Sequence, residues 1–109
     1  MKTYKLENMI KGWFVGDFEP SVLRTKDFEV AVLERKKGLE RPMHYHKEAV
    51  EISVLIEGSA RINGEEIRVG DIFVLEKNET VDAEFHEDSK IVVVKTPSVI
   101  GDKYEVPEN

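Results

Sequence analysis

Short apolar runs bounded by Gly, Pro, Asn or Asp recur along the whole chain. Runs of this kind are typical of β-strands, and no stretch has the length and period of a long helix. The strongest local signal is Asn63-Gly64 between two such runs, because both central residues of a type I′ hairpin turn need positive φ. We predict strands near Met9–Phe18, Phe28–Arg35, Met43–Tyr45, Val50–Ile56, Ala60–Ile62, Glu66–Val69, Ile72–Leu75, Val81–Phe85 and Ile91–Lys95.

The apolar residues are mainly β-branched, since Val and Ile together number 22 whereas Ala and Leu number 10. Side chains that branch at Cβ lose rotamer freedom in helices but pack well on a pleated sheet. Many short strands in 109 residues indicate a sandwich or a closed barrel, because both architectures protect the edges of their sheets. The sequence therefore predicts an all-β protein.

Length and charge narrow the class further. A chain of 109 residues has room for one domain, and residues 101–109 carry so few apolar side chains that we predict a C-terminal tail. The net charge is −6, and Lys and Arg are spread along the chain, which argues against nucleic acid or an anionic membrane as a partner. The N-terminus has no apolar run of the kind found in signal peptides, so we expect a soluble, cytoplasmic protein.

The candidate chemistry lies at His44-Tyr45-His46, which contains two of the three histidines. On a strand this spacing sends both imidazoles to the same face. If the following residues turn the chain into a neighbouring strand, Glu51 returns beside the pair. Two imidazoles and one carboxylate form a facial ligand set for a divalent metal, with open positions for water, oxygen or substrate. The chain has no Cys, and iron, manganese, zinc and nickel all suit these ligands.

The same residues belong to a longer pattern, G-x5-H-x-H-x4-E-x6-G, formed by Gly38, His44, His46, Glu51 and Gly58. This pattern resembles the first motif of the cupin superfamily, and the resemblance covers about residues 28–96. It implies a double-stranded β-helix, which is a small jelly-roll barrel, in a single domain over residues 1–109. The strand at 9–18 precedes the barrel and the tail at 101–109 follows it. The resemblance also implies that His44, His46 and Glu51 point into the barrel mouth.

The second cupin motif is degenerate in this chain. Where the family has Pro, Gly, His and Asn, the sequence has Glu76, Asn78, Val81 and Phe85. Asn reaches left-handed backbone angles more readily than most residues, but the isopropyl group of Val81 cannot coordinate a metal. His86 is five positions from Val81 and has the opposite side-chain parity, so we predict a surface position for it. The resemblance therefore implies three metal ligands instead of four.

Two functions follow, and the sequence leaves both open. In the first, His44, His46 and Glu51 bind a divalent metal that acts on a small molecule. The resemblance to cupins then implies an enzyme of the oxygenase, isomerase or epimerase type. In the second, the three side chains are remnants, and the barrel binds a small ligand without catalysis or serves as a dimeric assembly module. Trp13 and Phe14 lie on an N-terminal strand with two apolar faces, so we expect a homodimer.

Overall fold

The computed structural model describes residues 1–39 and 42–107, which form ten β-strands and a single 3-10 turn at Leu6–Asn8. Within these residues no helix is long and apolar enough to cross a membrane. The prediction of an all-β fold is confirmed. The strands are β1 (Trp13–Val15), β2 (Glu29–Arg35), β3 (His44–Tyr45), β4 (Val50–Glu57), β5 (Ser59–Ile62), β6 (Glu65–Arg68), β7 (Ile72–Leu75), β8 (Ala83–Phe85), β9 (Ser89–Thr96) and β10 (Tyr104–Glu105).

The strands form three antiparallel sheets that face one another across the barrel. The largest has the order β1-β2-β9-β4-β7, the second has the order β6-β5-β8, and the third is the pair β10-β3. Strands β2, β9 and β4 lie at the centre of the largest sheet and carry apolar residues on both faces. An antiparallel sheet usually has one face on the core and one face in water, so the apolar outer face is unusual.

The inner face of the five-stranded sheet changes from apolar to charged along the strands. One cross-strand row is wholly apolar and consists of Leu33, Ile91 and Leu55. The next row mixes apolar and polar groups: Ala31, Val93, Ser53 and Phe73. The third row is charged over three neighbouring strands and consists of Glu29, Lys95, Glu51 and Leu75. The closed end of the barrel is therefore an apolar core, whereas the other end presents charged side chains to the interior.

The turn chemistry predicted from the sequence is confirmed at two positions. Asn63 and Gly64 have φ values of 48° and 82° and connect β5 to β6, as a type I′ hairpin requires. Asn78, which replaces a glycine of the second cupin motif, has φ 66°. The left-handed backbone that this position needs is thus kept without glycine.

Two expectations about the chain ends are wrong. The strand predicted at Met9–Phe18 shrinks to Trp13–Val15, because Gly12 has φ +87° and a Cβ there would lie 2.0 Å from the Val32 carbonyl oxygen. The left-handed backbone at Gly12 thus prevents the strand from beginning before Trp13. The tail predicted at 101–109 is structured as far as it is described, because Tyr104 and Glu105 pair with β3. Residues 108 and 109 lie outside the described part of the chain.

Candidate metal centre

A cavity of about 1090 Å³ lies inside the barrel. Its volume slightly exceeds the range of about 300–1,000 Å³ that is usual for small-molecule sites. The apolar part of the wall includes Leu33, Phe73, Leu75, Phe85, Ile91 and Val93. The polar part includes His44, His46, Glu51, Ser53, Glu29 and Lys95. The three ligands predicted from the sequence therefore line one common space.

His46 follows the short strand β3 and is only 5% exposed. Its backbone carbonyl accepts a hydrogen bond from the N–H of Asn78 at 2.6 Å, which holds the end of the strand. Its ring Nδ1 is hydrogen-bonded to the backbone carbonyl oxygen of Asp102. A carbonyl oxygen only accepts hydrogen bonds, so Nδ1 carries a proton, and in the neutral ring Nε2 has the lone pair. The fold therefore fixes the tautomer in which Nε2 is a metal ligand.

The Nε2 atom of His46 is buried, and no group in the described part of the chain forms a hydrogen bond with it. Glu51 Oε1 lies 3.8 Å away, and the Glu51 side chain is 15% exposed. Two ligand atoms bound to one ion at about 2.1 Å stand about 3.0–3.4 Å apart. The observed separation exceeds that range by only a few tenths of an ångström. A buried nitrogen lone pair beside a carboxylate is thus a fitting pair of metal ligands.

His44 lies on the same side of β3 as His46. The two rings meet edge to face with their centroids 5.5 Å apart, and both line the cavity. Tyr45 points away from the cavity and stacks on Tyr104 at 5.6 Å between centroids. The predicted alternation of the His-Tyr-His segment is thus observed. Among residues 1–39 and 42–107, no three or more His, Asp or Glu side chains stand close enough to hold an ion as they are.

Val81 occupies the position opposite His44. Its N–H donates to the His44 carbonyl at 2.8 Å, and the two residues form an isolated antiparallel bridge. Val81 is 9% exposed and lines the cavity, so an isopropyl group stands where the second cupin motif has a histidine. His86 does not replace it, because its Nε2 lies 2.9 Å from Glu66 Oε2 and its side chain is 34% exposed outside the cavity.

Asp102 is a site residue that the sequence interpretation missed. Its carboxylate accepts hydrogen bonds from the backbone N–H groups of Lys47, Glu48 and Ala49 at 2.9–3.3 Å. These residues form the turn between His46 and the strand that carries Glu51. Burial by itself raises the pKa of Asp102, but the three N–H donors and nearby His46 lower it below its ordinary value. Asp102 therefore fixes both the turn and the His46 ring.

A second polar group lines the cavity and was also missed. Lys95 Nζ lies 3.4 Å from Glu29 Oε2, and both side chains are about nine-tenths buried. Glu29 Oε1 accepts a hydrogen bond from the Ser98 hydroxyl at 3.0 Å. The Lys95 ammonium also lies 5.4 Å from the centre of the Trp13 ring. The sequence contained a signal for this pair, because Glu29 and Lys95 alternate in step with the inward-facing residues of β2 and β9.

Several solved structures are similar to this chain. One from Klebsiella pneumoniae subsp. pneumoniae MGH 78578, described as an uncharacterized conserved protein with a double-stranded beta-helix domain, aligns with a TM-score of 0.71 and 21% identity over 98% of this chain and 93% of that one. DMSP lyase DddQ from Ruegeria pomeroyi DSS-3 aligns with a TM-score of 0.68 and 17% identity over 87% and 50%. KdgF from Halomonas sp. aligns with a TM-score of 0.63 and 22% identity over 70% and 74%.

No protein-family model and no curated protein matches the sequence. For the structure from Klebsiella pneumoniae, the structural likeness extends over nearly the whole chain. The chain therefore has a double-stranded β-helix fold, as the resemblance to cupins implied.

Proposed function

We propose that this protein binds a divalent metal ion at the barrel mouth and uses it to bind or transform a small molecule in the cavity. His44, His46 and Glu51 would be the protein ligands. The observation that carries the proposal is the buried Nε2 atom of His46, which forms no hydrogen bond within the described residues and lies 3.8 Å from Glu51 Oε1. A buried polar atom without a partner is costly, and a bound cation would satisfy both the nitrogen lone pair and the carboxylate.

A second observation supports the same site. The Nδ1 atom of His46 is held by a backbone carbonyl, which is the usual way in which proteins orient a ligating histidine. Asp102 provides that carbonyl and also fixes the turn that leads to Glu51. Asp102 thus supports both candidate ligands, His46 and Glu51, from a distant segment of the chain.

The polar and apolar parts of the cavity wall suggest different roles in ligand binding. A bound divalent ion would supply Lewis acidity to an oxygen atom of the substrate or to water. The apolar wall formed by Phe73, Val93 and their neighbours would exclude water and hold the organic part of the ligand. Val81 leaves one side of the site without a protein ligand, so an ion there keeps an additional position for substrate or water.

The test is elemental analysis of protein that has been purified without an affinity tag and dialysed against Fe²⁺, Mn²⁺, Zn²⁺ or Ni²⁺ in turn. We expect about one equivalent of bound metal in the wild type and a large loss in His46→Ala. His86→Ala is the matched control, because this variant removes a histidine that also faces a glutamate but lies outside the cavity. Metal far below one equivalent, or metal content unaltered by His46→Ala, would contradict the proposal.

A second candidate function is a barrel that binds an organic ligand without a metal. Val81 favours it, because an apolar side chain stands at the fourth ligand position. The spacing of the three candidate ligands also favours this function. Among the described residues, no three or more His, Asp or Glu side chains stand close enough together to hold an ion. A thermal-shift experiment separates the two functions. An ion at a thousand times its Kd should stabilise the fold by about 4 kcal/mol, whereas the second candidate predicts stabilisation by organic ligands in chelator and none by ions.

We also propose that the protein forms a homodimer. The outer face of the five-stranded sheet carries two cross-strand rows of Val and Ile: Val30, Val94, Ile52 and Val74, and Val32, Val92, Val54 and Ile72. Ile52, Ile72 and Val74 are 40–69% exposed. A contiguous apolar face of this kind marks an interaction surface, and a second copy offers the same face. Sedimentation should give a dimer at micromolar concentration, and a monomer would contradict this proposal.

A further inference from the structure

The inner charged row of the barrel contains one cation between two carboxylates. Lys95 on β9 pairs directly with Glu29 on β2 and with Glu51 on β4 in the strand register. Neighbouring side chains at such positions have their Cβ atoms about 4.5–5.5 Å apart. Lys95 therefore lies next to the candidate metal ligand Glu51, although its ammonium group is paired with Glu29.

The ammonium group of Lys95 keeps hydrogen-bonding capacity. An ammonium has three N–H donors, and Glu29 Oε2, the one carboxylate oxygen paired with it among residues 1–39 and 42–107, is 3.4 Å away. The Trp13 ring lies on one side of the ammonium group, and Lys95 also lines the cavity. Lys95 is thus a buried cation with donors available to a molecule inside the barrel.

The charge of the buried wall indicates what such a molecule carries. Glu29, Glu51 and Lys95 together bear one net negative charge, and a divalent ion at the candidate metal centre would change this to one net positive charge. The Asp102 carboxylate is left out of this sum, because it faces three backbone N–H groups of the turn, whose dipoles offset part of its charge. The remaining charged residues of the wall are at least partly exposed to water and comprise three cations and three anions: Lys11, Arg35, Lys103, Glu7, Glu19 and Glu34.

We propose that Lys95 is the anion-binding residue of this cavity and that the ligand is a small carboxylic acid bound as its monoanion. The proposal rests on the proposed metal site, because the single negative charge of the ligand balances the metal-loaded wall. The carboxylate contacts the Lys95 ammonium, and its organic part packs on Trp13 and the apolar wall. The charge balance further requires that anion binding depends on the metal, since the metal-free wall is itself negative.

The test is calorimetric binding of straight-chain carboxylates from acetate to hexanoate, with the corresponding amides as neutral probes of nearly equal shape. Metal content is measured first on the same samples. In metal-loaded wild type we expect at least about tenfold tighter binding of a carboxylate than of its amide, which corresponds to about 1.4 kcal/mol. In chelator we expect this preference to disappear.

The variants isolate the ammonium group. Lys95→Met alone leaves Glu29 buried without a cation, so it can destabilise the fold, whereas the double variant Lys95→Met/Glu29→Gln removes both charges together. The double variant should retain metal but bind the carboxylate at least about tenfold more weakly than the wild type does, because it lacks the ammonium contact. Lys90→Met is the matched control, because Lys90 also lies on β9 near a glutamate, at 3.9 Å from Glu57, but on the other face of the strand. This variant should keep the preference.

The outcomes are distinguishable. If metal binds but carboxylate and amide bind equally, or if the double variant binds carboxylates as the wild type does, the role of Lys95 is refuted while the metal site stands. If carboxylates bind equally well in chelator, the charge argument is refuted. If metal does not bind in the first measurement, the proposed function fails and this inference fails with it.

Discussion

Replacing Asp102 with alanine tests whether a single carboxylate organises the barrel mouth. The substitution removes an acceptor of three backbone hydrogen bonds at 2.9–3.3 Å, from Lys47, Glu48 and Ala49. A hydrogen bond to a charged group contributes about 1.5–3 kcal/mol net. Lys47 and Glu48 are exposed, so water can replace part of the loss, but Ala49 is 1% exposed and its N–H would remain buried.

We therefore expect Asp102→Ala to lower the free energy of unfolding by about 3–5 kcal/mol. For a chain of this size, this corresponds to a fall in Tm of about 12–20 °C. Urea denaturation followed by circular dichroism measures the change directly. The backbone carbonyl that holds His46 Nδ1 remains in this variant, but the carboxylate no longer fixes its segment, so metal affinity in the folded variant should fall up to about tenfold.

Asp71→Ala is the matched control for this substitution. The Asp71 carboxylate also accepts a backbone hydrogen bond, from the Arg68 N–H at 2.8 Å, but both residues are exposed on a surface turn. We expect its loss to cost less than about 1 kcal/mol. If Asp102→Ala costs no more than Asp71→Ala, the carboxylate does not hold the turn and the reasoning is refuted.

Three further predictions concern the fourth ligand position, the pH and the outer face. Val81→His should raise the metal affinity measured by equilibrium dialysis at least about tenfold, whereas Val81→Leu should not. If both variants bind metal with equal affinity, residue 81 does not reach the ion. The lowered pKa of Asp102 means that its stabilising contribution is complete above the ordinary pKa of an aspartate and is lost as the pH falls through the folded-state pKa. The stability difference between metal-free wild type and Asp102→Asn should thus shrink below about pH 4, and a difference that grows there would contradict this sign. The double variant Ile52→Lys/Ile72→Lys should be a folded monomer in sedimentation experiments. The control Val69→Lys, which also changes an exposed apolar residue, should remain a dimer. If the double variant remains a dimer, the interface lies elsewhere.

The features that the sequence predicted depend on local patterns. The Asn63-Gly64 hairpin follows from the backbone angles that these two residues adopt. The shared face of His44 and His46 follows from the two-residue period of a strand, and the outward position of His86 follows from the same period. Each of these predictions needs only the residues within a few positions along the chain.

The features that the sequence did not predict depend on distant partners. Asp102 caps a turn that lies 53–55 residues earlier, and nothing near Asp102 in the sequence indicates that contact. The segment is held by hydrogen bonds of Asp102, by strand pairing with β3 and by the stack of Tyr104 on Tyr45, so counting apolar residues led to the wrong prediction of a tail. The pairing of Glu29 with Lys95 likewise requires knowledge that β2 and β9 are neighbours in the sheet.

Anomalous diffraction from crystals grown with Mn²⁺ or Zn²⁺ tests the central claim most directly, because it locates the ion relative to individual atoms. The account predicts one anomalous peak in the barrel mouth, about 2.0–2.2 Å from His46 Nε2 and in contact with Glu51 and His44. A barrel without a peak, or a peak found only at the surface pair of His86 and Glu66, would contradict the proposed metal site.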